Sequence, residues 1–389
     1  MKKLIILCMF ICIVGSSLQA QLYYSLFEPA VVDARSSALG RTTVLTTFGS
    51  NAVFTNPANL GMLDKQYFQA GARAIFGSRK TEYKEQGEED YESSYLFHPK
   101  FNHVSYAMPY NIPNSGIKTV FAAGYRTYYD YGYTYYHEYD DEYDDKSSYE
   151  YTYKHHGGFN TLTLGAAANF NDKIFGGLAY NIGIMSKTSY WVDENGQDED
   201  GDLWNMKGSF LTVGGIFKPT DRISLGLTFT PGFEYEIEWD ESGHTDDIDI
   251  PSQLALSAMF ELSESFTGII EYQNRPWKNY EVDGDEFYGD IDNGMCLRAG
   301  VEFSKMLRLG FFSNSVPITD TNSSGESEDK PLSQVGFTGG IGLNVSPQMI
   351  LDLSGEYSFI NIEDNEYDYQ SETKISIFKF GATFTYILL

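Results

Sequence analysis

Apolar and polar residues alternate along one segment after another of this 389-residue chain. In Leu162–Phe170, Ile223–Phe229 and Phe378–Leu388 every second residue is apolar, which is the period of a β-strand with one apolar face. Beyond the N-terminal segment, no stretch reaches the roughly 18 consecutive apolar residues that a transmembrane helix needs. The sequence therefore predicts an all-β protein built from many strands.

The links between the alternating segments differ in length and charge from one end of the strands to the other. Turn-like links such as Asn171-Asp172 and Pro347-Gln348 alternate with long, acidic links. Strands are predicted at about 66–82, 101–112, 118–139, 159–170, 173–192, 208–219, 223–239, 251–262, 265–277, 295–306, 307–318, 333–346, 349–361 and 375–388. The long links are 83–100, 140–158, 193–207, 240–250, 278–294, 319–332 and 362–374.

This sorting of links favours a membrane barrel over a water-soluble sandwich, which has no reason to sort its loops by end. Outer-membrane barrels combine an even strand number with short periplasmic turns and long outer loops. We therefore predict a transmembrane antiparallel β-barrel of 14 strands in the outer membrane of a diderm bacterium, with links 140–158 and 193–207 outside the cell and 171–172 in the periplasm. All 4 Trp residues lie beside long links, which predicts an aromatic girdle at the outer interface.

The N-terminal part of the chain differs from the rest. Residues 1–20 have a basic start, an apolar stretch and small residues before the predicted cleavage point, as in a secretory signal peptide. Residues 21–63 lack the alternation, and we predict that they form a compact hatch inside the barrel of residues 64–389, because fourteen strands enclose more space than their own side chains fill. We expect the barrel-assembly machinery and outer-membrane lipid to be partners of such a barrel.

Charged residues stand on the strand face opposite the apolar one, so we expect them to line the lumen. They either form ion-pair networks with one another and with the hatch, or one arginine holds the carboxylate of a ligand. The sequence leaves both interpretations open. These residues are Arg73, Arg126, Glu261, Glu271, Arg275, Arg298, Glu302, Arg308, Asp352 and Glu356.

Composition and residue spacing argue against several classes of function. The formal net charge of −27 repels phosphate, so no nucleic-acid partner is expected. We expect no catalytic residues, because His103 and Ser105 share an inward strand face where a lipid-cleaving site is not useful. We also expect no cofactor and no metal site: the acidic runs Asp198–Asp202 and Asp290–Gly294 have oxygen ligands near calcium-loop spacing but lack the full pattern. Cys296 has no partner for a disulfide once the signal peptide is removed.

Three stretches of the chain resemble the FadL/TodX family of outer-membrane transporters of hydrophobic compounds. They are the run Asp-Ala-Arg-Ser-Ser-Ala-Leu-Gly at 33–40, Asn-Pro-Ala at 56–58 and the closing strand Phe-Gly-Ala-Thr-Phe-Thr-Tyr at 380–386. The resemblance implies a hatch inside a 14-stranded barrel, a lumen pocket for an apolar ligand, and sideways release where the third strand is kinked. It makes Asp33, Arg35, Gly40, Asn56, Pro57 and Ala58 the candidate hatch motif. Because glycine weakens strand pairing, Gly124 and Gly132 of the third strand, with Asp130 between them, are the candidate residues of a lateral gap, although they are also consistent with ordinary glycines of a barrel wall.

Two functions are consistent with these features of the sequence. The first is outer-membrane uptake of hydrophobic small molecules, such as long-chain fatty acids or hydrocarbons, with lateral release into the membrane. The second is a PorV-like, non-transporting barrel that binds envelope or secreted proteins, for which the acidic, Tyr-rich outer links would be the docking surface. The acidic links and the Leu388-Leu389 terminus depart from the fatty-acid transporters, where a terminal Phe is usual.

Overall fold

The computed structural model describes most of the chain between Pro29 and Leu388. The described residues are 29–85, 88–112, 117–140, 148–194, 197–239, 243–286, 291–317, 319, 330–366 and 369–388. The predicted signal peptide, the first residues of the predicted hatch, the turn at 113–116 and Asp290 lie outside them.

The strands form one closed antiparallel barrel of 14 strands, as predicted. Each strand pairs with its neighbours in sequence, and the first strand pairs with the last from Gln66 opposite Leu388 to Glu85 opposite Tyr369. The strands are β1 Gln66–Glu85, β2 Glu88–Asn111, β3 Lys118–Asp130 and Tyr133–Asp140, β4 Ser148–Asn169, β5 Ile174–Gly183 and Lys187–Glu194, β6 Gln197–Thr220, β7 Ile223–Thr230 and Phe233–Trp239, β8 Thr245–Ile250 and Gln253–Ser263, β9 Phe266–Arg275, β10 Gly294–Phe303, β11 Leu307–Ser315, β12 Ser333–Ser346, β13 Met349–Glu366 and β14 Tyr369–Leu388. A small hairpin of Glu281–Val282 and Asp285–Glu286 lies between β9 and β10.

Within the described residues, the predicted long loops 83–100, 193–207 and 362–374 are β-ladder rather than loop, and this corrects the prediction. β2 begins at Glu88 instead of residue 101, and β6 begins at Gln197 instead of residue 208. A strand that extends beyond the bilayer needs no apolar outer face, so the alternation is lost while the backbone ladder continues. Hydrophobic periodicity therefore locates only the part of each strand that lies in lipid.

The side chains of the wall are distributed as a bilayer requires. Every strand exposes at least one large apolar residue on its outer face, whereas polar and charged side chains are buried on the inner face. One exposed apolar residue from each strand in turn is Phe76, Phe101, Phe121, Leu164, Leu178, Leu211, Leu227, Leu256, Ile270, Leu297, Leu309, Phe337, Leu353 and Phe380. The chain is thus a multi-pass β-barrel of the outer membrane.

The segment that precedes β1 is buried inside the barrel. It forms a five-residue helix, α1 (Ala34–Ala38), and two 3-10 turns, η1 (Gly49–Phe54) and η2 (Pro57–Met62). Ala34 N–H donates to Thr383 Oγ1 of β14 at 2.9 Å, and Gly40 N–H donates to Thr338 Oγ1 of β12 at 2.9 Å. We refer to residues 29–63 as the hatch. Over the part of the chain that the structure describes, none of the helices is long and apolar enough to cross a membrane.

An aromatic cluster fills the lumen above the hatch. Trp204 and Trp277 belong to it and are almost completely buried, so the predicted interfacial girdle is wrong for these two residues. Trp204 packs against Tyr131, and Trp277, in a 3-10 turn between β9 and β10, packs against Tyr280. The cluster consists of Tyr128, Tyr129, Tyr131, Phe159, Trp204, Met206, Phe210, Tyr235, Ile237, Ile248, Ile250, Trp277 and Tyr280.

Candidate functional site: the lumen between hatch and wall

The predicted hatch motif supplies caps and cross-links. Asp33 caps α1 by accepting the Ser36 N–H at 2.7 Å. Burial raises the pKa of Asp33 to about 6, although its bond with Ser36 and the nearby Arg35 act in the opposite direction. Asn56 caps η2 by accepting the Ala58 N–H at 3.1 Å, and its amide donates to Val44 O at 2.9 Å. Pro57 takes the first position of η2, where its missing N–H costs nothing.

Glycines of the wall make room for the hatch, and sequence reasoning did not find them. Gly40 has φ +71° and lies so close to Gly300 and Gly310 that a Cβ on either would meet hatch backbone. A Cβ on Gly177 of β5 would lie 2.5 Å from Ala58 N, and one on Gly165 of β4 would lie 2.6 Å from Val53 Cγ2. The sequence signal for this contact was glycine at inward positions of several strands, because glycine in a strand often marks a site where another backbone approaches closely.

Three carboxylates of the wall contact the hatch: Glu302, Glu271 and Glu356. Arg35 Nε and Nη2 donate to the two oxygens of Glu302 at 3.2 and 2.9 Å, and Arg308 Nε donates to Glu302 Oε1 at 2.7 Å. Arg308 also donates to Asp352. Glu271, on the neighbouring strand β9, binds hatch backbone.

Glu271 accepts the N–H groups of Thr43 and Val44, both at 2.8 Å, and also accepts from Arg298 Nη1 at 3.1 Å. Glu356 lies 3.3 Å from Lys379 Nζ and 3.9 Å from Arg41 Nε. The inward positions predicted from the alternation therefore come together as pairs. Glu261 shares this strand face but is exposed near the turn that ends β8.

Arg126 differs from these arginines. Its side chain is buried, yet no ion pair or hydrogen bond of Arg126 is found within the described residues, and its Nε is buried without a partner there. Its guanidinium lies over the rings of Tyr128 and Phe54, at 4.5 and 5.5 Å from their centroids. Two aromatic faces favour a cation but leave its N–H groups free to donate.

The ladder between β2 and β3 is interrupted. It runs from Asn111 opposite Lys118 to His103 opposite Arg126, and resumes only at Leu96 opposite Tyr135. Between these two points, residues 97–102 of β2 and residues 127–134 of β3 form no ladder pairs with each other, although the structure describes all of them. We call this unpaired stretch of the two strands the seam. On the outer face at this level, Phe97 and Phe101 are exposed to lipid.

The candidate gap residues fall on both sides of the seam's boundary. Gly124 lies outside it, in regular ladder between Ser105 and Thr163 and beneath the ring of Phe54. Asp130 and Gly132 lie within it. Asp130 forms ion pairs with Arg73 and with Lys100, the latter at 2.6 Å.

The hatch covers the seam from inside. Ala30 N–H donates to Tyr128 O at 2.8 Å, and the Asn102 amide donates to the carbonyls of Val31 and Val32 at 2.9 and 2.7 Å. Asn102 and Tyr128 are the bulged residues of the two strands, next to the register shifts in β1–β2 and β3–β4 pairing. The extended hatch residues 29–32, here called the arm, thus take up polar groups that the missing ladder leaves free.

Two cavities flank the arm. The seam cavity, of about 140 Å³, is bounded by Arg73, Asp130 and Gly132, by hatch residues and by β13 and β14. The arginine cavity, of about 100 Å³, is bounded by Arg41, Arg126, Arg275 and Arg298 without any acidic residue, together with Thr, Gln and aromatic side chains. Both cavities share the arm and Arg41 as walls.

His103 and Ser105 are buried and face the hatch. Ser105 Oγ lies 2.7 Å from Asn51 Oδ1 and 2.8 Å from Ser50 Oγ, and His103 Nε2 lies 3.0 Å from Asn51 Nδ2. These contacts hold η1 against β2. The acidic run Asp198–Asp202 lies in the ladder between β5 and β6 rather than in a loop.

A plugged 14-strand barrel with an interrupted third strand and cavities beside its hatch defines a class of outer-membrane barrel. Among solved structures, a Pseudomonas aeruginosa FadL homologue superposes with a TM-score of 0.58 at 13% identity, over 93% of this chain and 99% of that one. The Pseudomonas putida toluene transporter TodX gives 0.57 at 12% identity, over 92% and 98%. The Ralstonia pickettii toluene transporter TbuX gives 0.51 at 11%, over 90% and 97%. The fold is thus of the FadL/TodX type. No family model and no curated protein matches the sequence.

Proposed function

We propose that this barrel takes up hydrophobic molecules that carry a carboxylate, such as long-chain fatty acids, and releases them sideways into the membrane. The observation that carries the proposal is Arg126, a buried cation with no ion pair within the described residues, in a cavity bounded by four arginines and no acid. A buried unpaired charge is costly, and a ligand carboxylate would offset that cost. A hydrocarbon without a charged group would not.

The rest of the arginine cavity suits the remainder of such a ligand. The rings of Phe54 and Tyr128 and the side chains of Val44 and Ala255 supply apolar contacts beside the guanidinium groups. An amphiphile placed with its carboxylate on Arg126 would bury its first methylene groups among these residues, each worth about 0.8 kcal/mol. The TM-scores of the FadL homologue and of the toluene transporters support transport of hydrophobic compounds as the general function.

The seam is the proposed exit. Backbone groups in lipid must be paired, so a wall that lacks a stretch of ladder opens at a lower cost there than elsewhere. The seam cavity reaches the gap from inside, and exposed phenylalanines border it from outside. A ligand that leaves between β2 and β3 passes directly into the bilayer without a continuous water-filled path.

Uptake by cells and binding by purified protein test the proposal together. A deletion strain should take up radiolabelled oleate several-fold more slowly than the complemented strain. In detergent, Arg126→Gln should weaken decanoate binding about 10- to 100-fold, as expected for the loss of one charge-assisted bond, and change decanol binding less than twofold. Arg222→Gln, at an exposed turn, is the matched control.

Two outcomes would contradict the proposal. Equal oleate uptake by both strains, together with capture of envelope proteins by the tagged barrel, would favour the PorV-like function. Equal losses of decanoate and decanol binding in Arg126→Gln would mean that Arg126 supports the fold of the cavity and does not bind a carboxylate.

A further inference from the structure

One carboxylate holds the two sides of the seam together. Asp130 belongs to β3, whereas its partners Arg73, His98 and Lys100 belong to β1 and β2. Lys100 Nζ lies 2.6 Å and His98 Nε2 lies 3.3 Å from Asp130 Oδ1. Since the backbone ladder is missing here, these side-chain contacts replace it as the connection between the strands.

Asp130 is placed differently from the carboxylates that bind the hatch. Glu271 and Glu302 lie in continuous ladder, opposite Arg298 and Arg308 of the neighbouring strands. Asp130 instead ends the first half of β3, where pairing with β2 has already stopped. It is also a wall residue of the seam cavity, so a molecule inside that cavity meets it directly.

The charges around Asp130 favour a second carboxylate. Asp130 supplies one negative charge to two basic side chains, Arg73 and Lys100. Arg73 also lines the seam cavity, where the other basic residue of the wall, Lys379, is paired with Glu356. Arg73 forms its guanidinium pair with Asp130 alone among the described residues. A fatty-acid carboxylate has the same shape and charge as the Asp130 side chain, so it can make the same bonds to the same cations.

We propose that Asp130 is an exchangeable latch: the carboxylate of the departing ligand replaces it on Arg73 and Lys100, and its release lets β3 move away from β2. This inference rests on the proposed uptake function and assigns its exit step to named residues. It makes the exit respond to carboxylated ligands, because decanol and similar alcohols cannot displace a carboxylate from an arginine. Asp130 is a positioning residue for the seam, and Arg73 and Lys100 are the ligand-binding residues.

The test removes the internal competitor. Asp130→Asn keeps the size of the side chain and removes its charge, and it is best measured in an Arg126→Gln background, where the first carboxylate site is absent. Decanoate binding should become at least tenfold tighter, whereas decanol binding should change less than twofold. Asp64→Asn is the matched control: Asp64 pairs with Lys118, which lies on β3 as Asp130 does, but Asp64 is exposed and does not line the seam cavity. Heat-modified mobility in gels shows that each variant is a folded barrel.

A second variant and a cell assay keep the inference falsifiable. Adding Arg73→Gln to Asp130→Asn should remove most of the gain in decanoate binding, because the guanidinium that lines the seam cavity is then gone and only Lys100 is left. In cells, Asp130→Asn should raise uptake of a radiolabelled fatty alcohol several-fold, since the seam is no longer latched. Equal changes for acid and alcohol in binding, or a gain that persists without Arg73, would overturn the latch. Absence of any uptake by the wild-type barrel would instead contradict the proposed function.

Discussion

Gly40 of the hatch and Gly310 of β11 meet backbone against backbone: a Cβ added to Gly310 would lie 2.6 Å from Gly40 Cα. Gly40 also has a left-handed φ of +71°, so any residue with a side chain would be strained at this position. The backbones of hatch and wall are therefore in direct van der Waals contact here, with no room for a side chain between them. This contact fixes α1 against β10, β11 and β12.

A methyl group on Gly310 should push the hatch away from the wall. Overpacking of this kind costs about 1–3 kcal/mol, so we expect Gly310→Ala to melt several degrees lower and to conduct ions better than the wild type. Gly268→Ala is the control, because a Cβ there meets nothing within 4 Å. The same melting temperature and the same single-channel conductance in both variants would show that the hatch does not depend on this contact.

Removing the hatch should open the lumen without unfolding the wall. The ladder closes through β1 and β14 and pairs the wall's backbone groups everywhere except at the seam, so deletion of residues 22–55 should still leave a folded, heat-modifiable barrel. Single-channel conductance should be small for the intact protein and large for the truncation. If both conduct equally, the aromatic cluster of the outer lumen already closes the channel, and the hatch has another role.

Asn56→Ala should loosen the hatch without removing it. The substitution removes the cap on Ala58 N–H and the bond to Val44 O, which together are worth about 1–2 kcal/mol. We expect a conductance between those of the intact and truncated proteins, and faster proteolysis of the hatch. Asn111→Ala, at the exposed end of β2, should behave like the wild type. Unchanged proteolysis of Asn56→Ala would show that Pro57 and packing alone position η2.

Docking of the hatch should weaken as the pH rises. Burial raises the pKa of Asp33 from 3.8 to about 6, so the folded hatch prefers the protonated form. The resulting stabilisation is fully present below about pH 4 and is lost as the pH rises through about 6, which amounts to roughly 3 kcal/mol. Conductance measured from pH 4 to 8 should increase over this range, and Asp33→Asn should flatten the profile. Identical profiles for the two proteins would exclude Asp33 as the titrating group.

The orientation of the barrel is tested by surface labelling. Epitope tags inserted within 140–158 and 193–207 should be labelled on intact cells, whereas a tag at 171–172 should be labelled only after permeabilisation. The reverse pattern would place the hatch end of the barrel outside the cell.

The sequence predicted the strands well because a bilayer imposes a strict alternation on them. It also placed Glu271, Glu302 and Asp352 on the inner face for the same reason. The pairing partners of these residues were not predictable, because Arg35 and Glu302 are far apart in sequence and meet only when the hatch is inside the closed barrel.

Other features were missed for identifiable reasons. The parts of the strands beyond the membrane carry no hydrophobic alternation, so the sequence does not show how long the strands are. The seam is a property of the pairing between two strands, so neither strand's sequence shows it alone. Gly124 was a candidate for the gap because glycine weakens strands, but its missing side chain instead accommodates Phe54. A glycine in a barrel wall therefore has to be judged by what lies in front of it.

The length of β2 has a consequence for where a ligand enters. Its 24 residues span about 80 Å along the strand. At the usual barrel tilt this is about 60 Å of height, against an apolar band of about 25 Å. The strand therefore extends about 30 Å or more beyond the lipid, and in the predicted orientation this rim lies outside the cell. For the proposed uptake function, a hydrophobic molecule would meet the rim in the surrounding water, before it has to cross the layer of surface sugars.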